Sequence, residues 1–213
     1  MTTLPKILAP WFALLLLAVM PAANAQDAIA GKYELVQPPQ PTETPGKIEV
    51  VDVFWYGCPH CYRFLPHIEA YLKDKAPYVA VRRMPAIFSK SWEMHARAYY
   101  TAKVLGISDE LHVPIFNAIH KDNQRLDNKE DLRAFFVQHG VKAEDFDNTF
   151  DSFAVVSLMR KSLIMQTRYG VRGTPTAIIN GKYRTSGSLA GSYEEMIKVI
   201  AELARREHDA GAS

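Results

Sequence analysis

Apolar positions change their period along this chain, and each change marks an element. After Lys47, the residues Ile48, Val50, Val51, Val53, Phe54 and Trp55 form a nearly continuous apolar run, the pattern of a strand covered on both faces. Helical spacing follows at Phe64, Leu65, Ile68 and Leu72, with Pro66 as a kink point. A short strand over Tyr78 to Arg82 then completes a β-α-β unit. From Ser89 to Gly170 no strand-like alternation occurs, and the segment divides into helices. Gly106 and Gly140 serve as C-terminal stops, and Asn128 caps a helix whose Leu132, Phe135 and Phe136 share one face. Val155, Leu158, Met159 and Leu163 repeat that pattern on a later helix. Sheet signals return at Thr176 to Ile179, and Asn180-Gly181 is the two-residue turn of a hairpin into Lys182 to Thr185. Ser192 and Glu195 form a capping box before a last helix that buries Tyr193, Met196, Ile197, Ile200 and Leu203. The order predicts an α/β fold whose sheet is interrupted by a large all-helical insertion. No internal repeat is visible.

The first residues follow a different rule. One cation, Lys6, precedes an apolar block from Trp11 to Met20 and the small-residue site Ala23-Asn24-Ala25, which reads as a secretory signal over residues 1–25. The block falls short of the roughly 20 residues that a spanning helix needs. Pro38, Pro39, Pro41 and Pro45 make residues 26–46 an extended, loosely attached N-terminal arm. The folded part is then residues 47–88 and 170–213, with residues 89–169 as the insertion. Formal net charge is +2 at pH 7, and Lys6 leaves with the signal, so no field of one sign invites nucleic acid or anionic lipid.

The only two cysteines lie in Cys58-Pro59-His60-Cys61, after the strand run and at a helix start. There the backbone N–H groups lack intrahelical partners and the helix dipole favours a thiolate. A C-x-x-C at this position lets one sulfur attack or be attacked while its partner resolves the mixed disulfide. Cys58, at the helix end, is the nucleophile candidate, and Cys61 sits one turn inside. His60 adds a donor, and positive charge if protonated, that favours the Cys58 thiolate; as a plain surface histidine it would do neither. A purely stabilising disulfide is a weak reading, because closing a four-residue loop contributes only about 2 kcal/mol. A four-ligand zinc site would have to draw on His60 and His67 from the same helix as the cysteines, a strained arrangement, so no metal is expected. Asp52 shares the strand face of Ile48, Val50 and Phe54, which places its carboxyl under the cysteine pair, where a raised pKa suits proton exchange with Cys61; pairing with Arg82 or Arg83 is the alternative. Thr174-Pro175 precedes the second half of the sheet and by spacing alone is an ordinary loop proline.

Together, Phe54-Trp55-Tyr56-Gly57-Cys58-Pro59-His60-Cys61, Gly170-Val171-Arg172-Gly173-Thr174-Pro175 and Asn180-Gly181-Lys182-Tyr183 resemble the DsbA family of periplasmic thiol:disulfide oxidoreductases. The resemblance covers nearly all of the chain after the signal and implies a thioredoxin-like fold with a helical insertion. It implies that Cys58 is the exposed nucleophile, Cys61 its buried partner, Asp52 the buried acid, and Pro175 a cis-proline beside the disulfide. Backbone groups of Thr174 then pair with an extended client segment. The implied activity is donation of a disulfide to reduced cysteines of newly exported, unfolded proteins, with no cofactor beyond the cysteine pair. The implied reoxidant is a membrane quinone-linked partner of the DsbB type. Pro59-His60 resembles the oxidases, whereas Thr174 stands where many members carry Val and resembles the isomerase and thioredoxin branches. A disulfide reductase or isomerase and a non-catalytic peptide-binding chaperone are the alternatives. The isomerases' N-terminal dimerisation domain has no room before Lys47, so a monomer is expected.

Overall fold

In the computed structural model, which describes Thr2 and residues 27–211, the chain forms β1 (Glu34–Leu35), β2 (Ile48–Phe54), α1 (Pro59–Asp74), β3 (Val79–Pro85), α2 (Lys90–Val104), α3 (Ser108–His120), α4 (Lys129–Gln138), α5 (Ala143–Phe150), α6 (Phe153–Arg168), β4 (Thr176–Ile179), β5 (Tyr183–Ser186), α7 (Gly187–Ala190) and α8 (Tyr193–Gly211). The signal assigned to residues 1–25 lies outside the described residues, apart from Thr2. The strands make one sheet in the order β1-β5-β4-β2-β3. The α1 crossover makes β2 and β3 parallel, and the other pairs are antiparallel.

Both faces of β2 are covered, which suits its apolar residues and buries its two carboxylates, Glu49 and Asp52, with them. Val50 packs with Phe64 and Ile68 of α1 and with Met196, Val199 and Ile200 of α8. Val51 and Val53 face Met165 and Tyr169 on the α6 side. Phe54, at the end of β2, joins a third cluster with the core of the helical insertion, which includes Phe116, Phe136, Phe146 and Phe150. The cysteines follow Phe54 directly, so the site sits where the sheet meets the insertion.

Several local signals act as their chemistry requires. Asn180 and Gly181 have φ of 49° and 66°, the two left-handed corners of a type I′ hairpin turn. The Asn128 side chain accepts from the Asp131 N–H at 2.9 Å and starts α4. Replacing Asn128 with alanine is expected to cost about 1 kcal/mol in denaturant unfolding without touching the redox site.

Other expectations are corrected. The proline-rich arm is docked rather than loose: Ile29 and Val36 are buried, β1 pairs with β5, and Val36 and Gln40 donate their N–H groups to Lys182 and Gly181. An extended, proline-bearing segment suits a sheet edge, where only some N–H groups must pair. The Gln40 carbonyl lies 2.0 Å from where a Cβ on Gly181 would sit, so the arm needs that glycine. β3 runs on to Pro85 because Arg83, buried at 9 % side-chain exposure, is neutralised by Glu69 at 2.5 Å and Asp109 at 2.7 Å. α1 continues through Pro66. On α6 the buried stripe is Val155, Met159, Ser162 and Gln166, which leaves Leu163 exposed. Glu195 does not complete its capping box: its N–H donates to the Ser192 hydroxyl, but its carboxylate turns to Lys32 and Lys198.

Candidate active site

Cys58 is the N-cap of α1, with extended backbone at φ −85° and ψ 115°, and its Sγ accepts from the Cys61 N–H at 3.4 Å. Pro59 follows at the first helical position, where a missing N–H removes no helix bond and the ring presets φ. Both thiols are free, and Cys58 and Cys61 are buried at 7 % and 3 % exposure. Cys58 is therefore the more accessible of the two by a small margin.

Electrostatics separate the pair further. A hydrogen bond from the Cys61 thiol, followed by the Thr174 hydroxyl and the N–H groups of Cys61 and His60, brings the Cys58 thiol down to about 5 against the opposing effect of burial. Burial first, then the hydrogen bond to Cys58 and its charge, pushes Cys61 well above the ordinary thiol range. The proton of the reduced pair therefore belongs to Cys61, and only Cys58 is ionised at neutral pH.

His60 does not fill the side-chain role expected of it. Its Nδ1 lies 3.1 Å from the Tyr193 hydroxyl and 3.0 Å from Arg63 Nη2. A guanidinium only donates, so Nδ1 is an acceptor and carries no proton in this arrangement. The donor that His60 gives Cys58 is its main-chain N–H. Asp52 lies on the face of Val50 and Phe54, 4 % exposed, and burial raises its carboxyl to about 6 although the Arg83 charge opposes. Arg83 stands opposite Asp52 in the β2–β3 register but spends its ion pairs on Glu69 and Asp109.

The Thr174–Pro175 peptide is cis and lies against the cysteines. The Cys58 sulfur lies 3.4 Å from the Thr174 carbonyl oxygen, to which it donates only when protonated. The Thr174 hydroxyl is buried without a well-aligned partner, close enough to both sulfurs to favour their ionised forms. Outside this loop a groove of about 860 Å³ opens, lined by His60, Arg172, Thr174, Pro175, Ser192 and Tyr193. Among the described residues no group of three or more His, Cys, Asp or Glu side chains is placed to hold a metal. His67 faces Glu194 at 3.7 Å.

Sequence reasoning missed the contribution of the helical insertion. Trp55 stacks on Trp92 of α2 with centroids 4.1 Å apart, and His112 and His120 of α3 reach Tyr56. Two histidines eight residues apart on one helix were a visible pattern, but nothing in the sequence named their partner.

A family model described as DSBA-like thioredoxin domain matches residues 49–194. The chain is 40 % identical over 190 residues to the thiol:disulfide interchange protein DsbA of Pseudomonas aeruginosa, covering 89 % of this chain and 90 % of that protein. It is 39 % identical over 170 residues to its namesake in Azotobacter vinelandii, covering 80 % and 79 %. In three dimensions it is similar to the crystal structure of the Pseudomonas aeruginosa protein, with a TM-score of 0.82 and 37 % identity over 86 % of this chain and 96 % of that one. The oxidoreductase DsbA of Xylella fastidiosa follows at 0.79 and 30 % identity, over 84 % and 96 %.

Proposed function

Because this chain belongs to the DsbA family of thiol:disulfide interchange proteins, we propose a disulfide-donation mechanism for its own residues. The protein is a thiol:disulfide oxidoreductase with a thioredoxin-like fold and a helical insertion. In its oxidised form a client thiolate attacks Cys58 Sγ, a client–Cys58 disulfide forms, and the Cys58–Cys61 bond breaks. Cys61 departs with the electron pair and takes a proton, in keeping with its high affinity for one. A second client thiolate then attacks the client sulfur of the mixed disulfide and expels Cys58 as thiolate. The client has lost two electrons and the enzyme has gained them.

The observation that carries this direction is the placement of Cys58 Sγ on the open N-terminus of α1, with the proton of the pair held by Cys61. A stabilised thiolate is a good leaving group, and it lowers the free energy of the dithiol form, so both effects push the disulfide outward. Pro59 and the His60 N–H shape that cradle. Thr174 and Pro175 border the groove where an extended client segment pairs with main chain, which reads few side chains and admits many sequences. Asp52 relays the Cys61 proton. The clients are newly exported, unfolded proteins in the periplasm, the enzyme acts as a monomer, and a DsbB-type membrane quinone reductase reoxidises it. No helix among the described residues is long and apolar enough to cross a membrane.

The buried Thr174 hydroxyl favours one rival, a reductase or isomerase, and a single equilibrium separates them. Equilibrated with glutathione, the Cys58/Cys61 pair is expected to be half-reduced at a potential more oxidising than about −200 mV. Half-reduction below about −260 mV moves the protein to the reductase branch.

A further inference from the structure

The turn that delivers Cys58 to α1 is gripped by the helical insertion. The Cys58 N–H donates to the Trp55 carbonyl at 3.0 Å, which closes a four-residue turn with Tyr56 and Gly57 at its corners. The orientation of the peptide between those corners separates the type I from the type II turn, and the type II form needs positive φ at its second corner. Gly57 lies outside the left-handed region. It is glycine for another reason: the Trp55 ring packs 2.4 Å from where its Cβ would be. That glycine leaves either peptide orientation open to the turn, so a separate contact must choose between them.

The contact comes from α3. His120 Nε2 lies 2.7 Å from the Tyr56 carbonyl oxygen, the oxygen of that central peptide. A carbonyl only accepts, so Nε2 carries a proton here whatever the charge of the ring. The imidazole is itself held, stacked on Tyr62 with centroids 4.7 Å apart and planes 13° from parallel, and the Tyr62 hydroxyl donates to Asn117 at 3.0 Å. At the other end of Tyr56 the hydroxyl meets His112 Nδ1 at 3.2 Å. One face of α3 thus holds both ends of the residue two before Cys58.

We propose that His120 is a positioning residue for disulfide transfer, which fixes the Tyr56–Gly57 peptide and thereby keeps the N–H groups of His60 and Cys61 directed at Cys58 Sγ. This rests on the reading of Cys58 as the disulfide-bearing sulfur. Loss of the contact lets the turn sample both orientations, and a cradle that is populated only part of the time stabilises the thiolate less.

The test uses His120→Leu, which keeps bulk without a donor, and His120→Gln, whose amide can still donate. Thiolate absorbance and the glutathione equilibrium are read on the full chain. His120→Leu is expected to titrate Cys58 higher and to be about fivefold less oxidising, the worth of one hydrogen bond, while His120→Gln stays within about twofold of native. Oxidised His120→Leu should unfold as cooperatively as native. Equal behaviour of His120→Leu and native overturns the proposal, as does His120→Gln failing as badly as His120→Leu. In native protein a slowly exchanging His120 Nε2–H resonance is expected in both redox states; its absence overturns the proposal even if neither variant folds. Should native protein fail to oxidise a dithiol peptide, the functional reading falls, and the Cys58 titration still judges His120.

Discussion

With Cys58 replaced by serine, the protein is expected to lose dithiol oxidation by a factor of about a thousand or more, to the uncatalysed background. A hydroxyl oxygen can form neither the Cys58–Cys61 bond nor the mixed disulfide, and Cys61, the one cysteine left, has no partner with which to hold a disulfide to donate. Serine suits the control because Cys58 is also the N-cap of α1, and serine is among the preferred caps, so the fold should hold to within a few tenths of a kcal/mol. The complementary variant, Cys61→Ala, keeps the attacking sulfur and removes the resolving one. Given a client that carries a disulfide, its Cys58 thiolate attacks one client sulfur and expels the other as thiolate, and with no Cys61 to resolve the product the Cys58–client disulfide is expected to accumulate, visible as a mass-shifted species on non-reducing gels. Rate loss in one variant and trapping in the other would assign the two sulfurs their separate roles. Oxidation retained by Cys58→Ser would overturn the assignment. The chaperone reading expects something else: a binder keeps its affinity for unfolded segments, and its effect on client folding, when Cys58 is serine.

That the two sulfurs differ was readable from their order along one helix start, because the dipole and the free N–H groups are properties of backbone that any residue meets there. The period-two placement of Asp52 with Val50 and Phe54 was readable for a similar reason: side chains alternate on a strand regardless of partners. The sequence was silent where the outcome depends on which distant side chain wins a contact. His60 sits beside Cys58 in sequence, yet its ring goes to Tyr193 and Arg63, because a surface imidazole one residue into a helix points outward. Arg82-Arg83 broke the apolar pattern and hid the second half of β3; carboxylates make that burial tolerable, Glu43 and Glu49 for Arg82, and Glu69 and Asp109, arriving from α1 and α3, for Arg83. Proline density in the arm was read as looseness, although extended backbone is also what the open edge of β5 accepts. On α6, Ser162 is buried and Leu163 exposed because the Ser162 hydroxyl donates to the Pro85 carbonyl at 2.6 Å, a demand that hydrophobicity alone cannot express.

The second large effect is a change with pH in which redox form is the more stable. The Cys58 thiol, at about 5 in the folded reduced protein, titrates near 8.5 when unfolded. A depressed folded value adds stability that is fully present above the unfolded value and is lost as pH falls through the folded one. Between those limits reduced protein should gain on the oxidised form with a one-proton slope of about 1.4 kcal/mol per pH unit. Cys58 is only 7 % exposed, so solvent screens its sulfur little, and over that interval of about 3.5 pH units the whole gain is on the order of 5 kcal/mol. Against it stands the loop constraint, which favours the oxidised form by about 2 kcal/mol at every pH. Oxidised protein is therefore expected to be the more stable at pH 5, with the order reversing at about pH 6.5, where a gain of about 1.4 kcal/mol per unit overtakes the loop constraint. Asp52 pulls the other way, since a carboxyl raised to about 6 removes stability as pH climbs from the unfolded carboxylate range. A carboxyl that titrates alike in the two redox forms cancels in their difference. Urea unfolding of the two forms in parallel from pH 5 to 8.5 isolates the sulfur, and a stability gap that does not move over that interval would mean that Cys58 carries no charge worth stabilising and that the outward push on the disulfide has another origin.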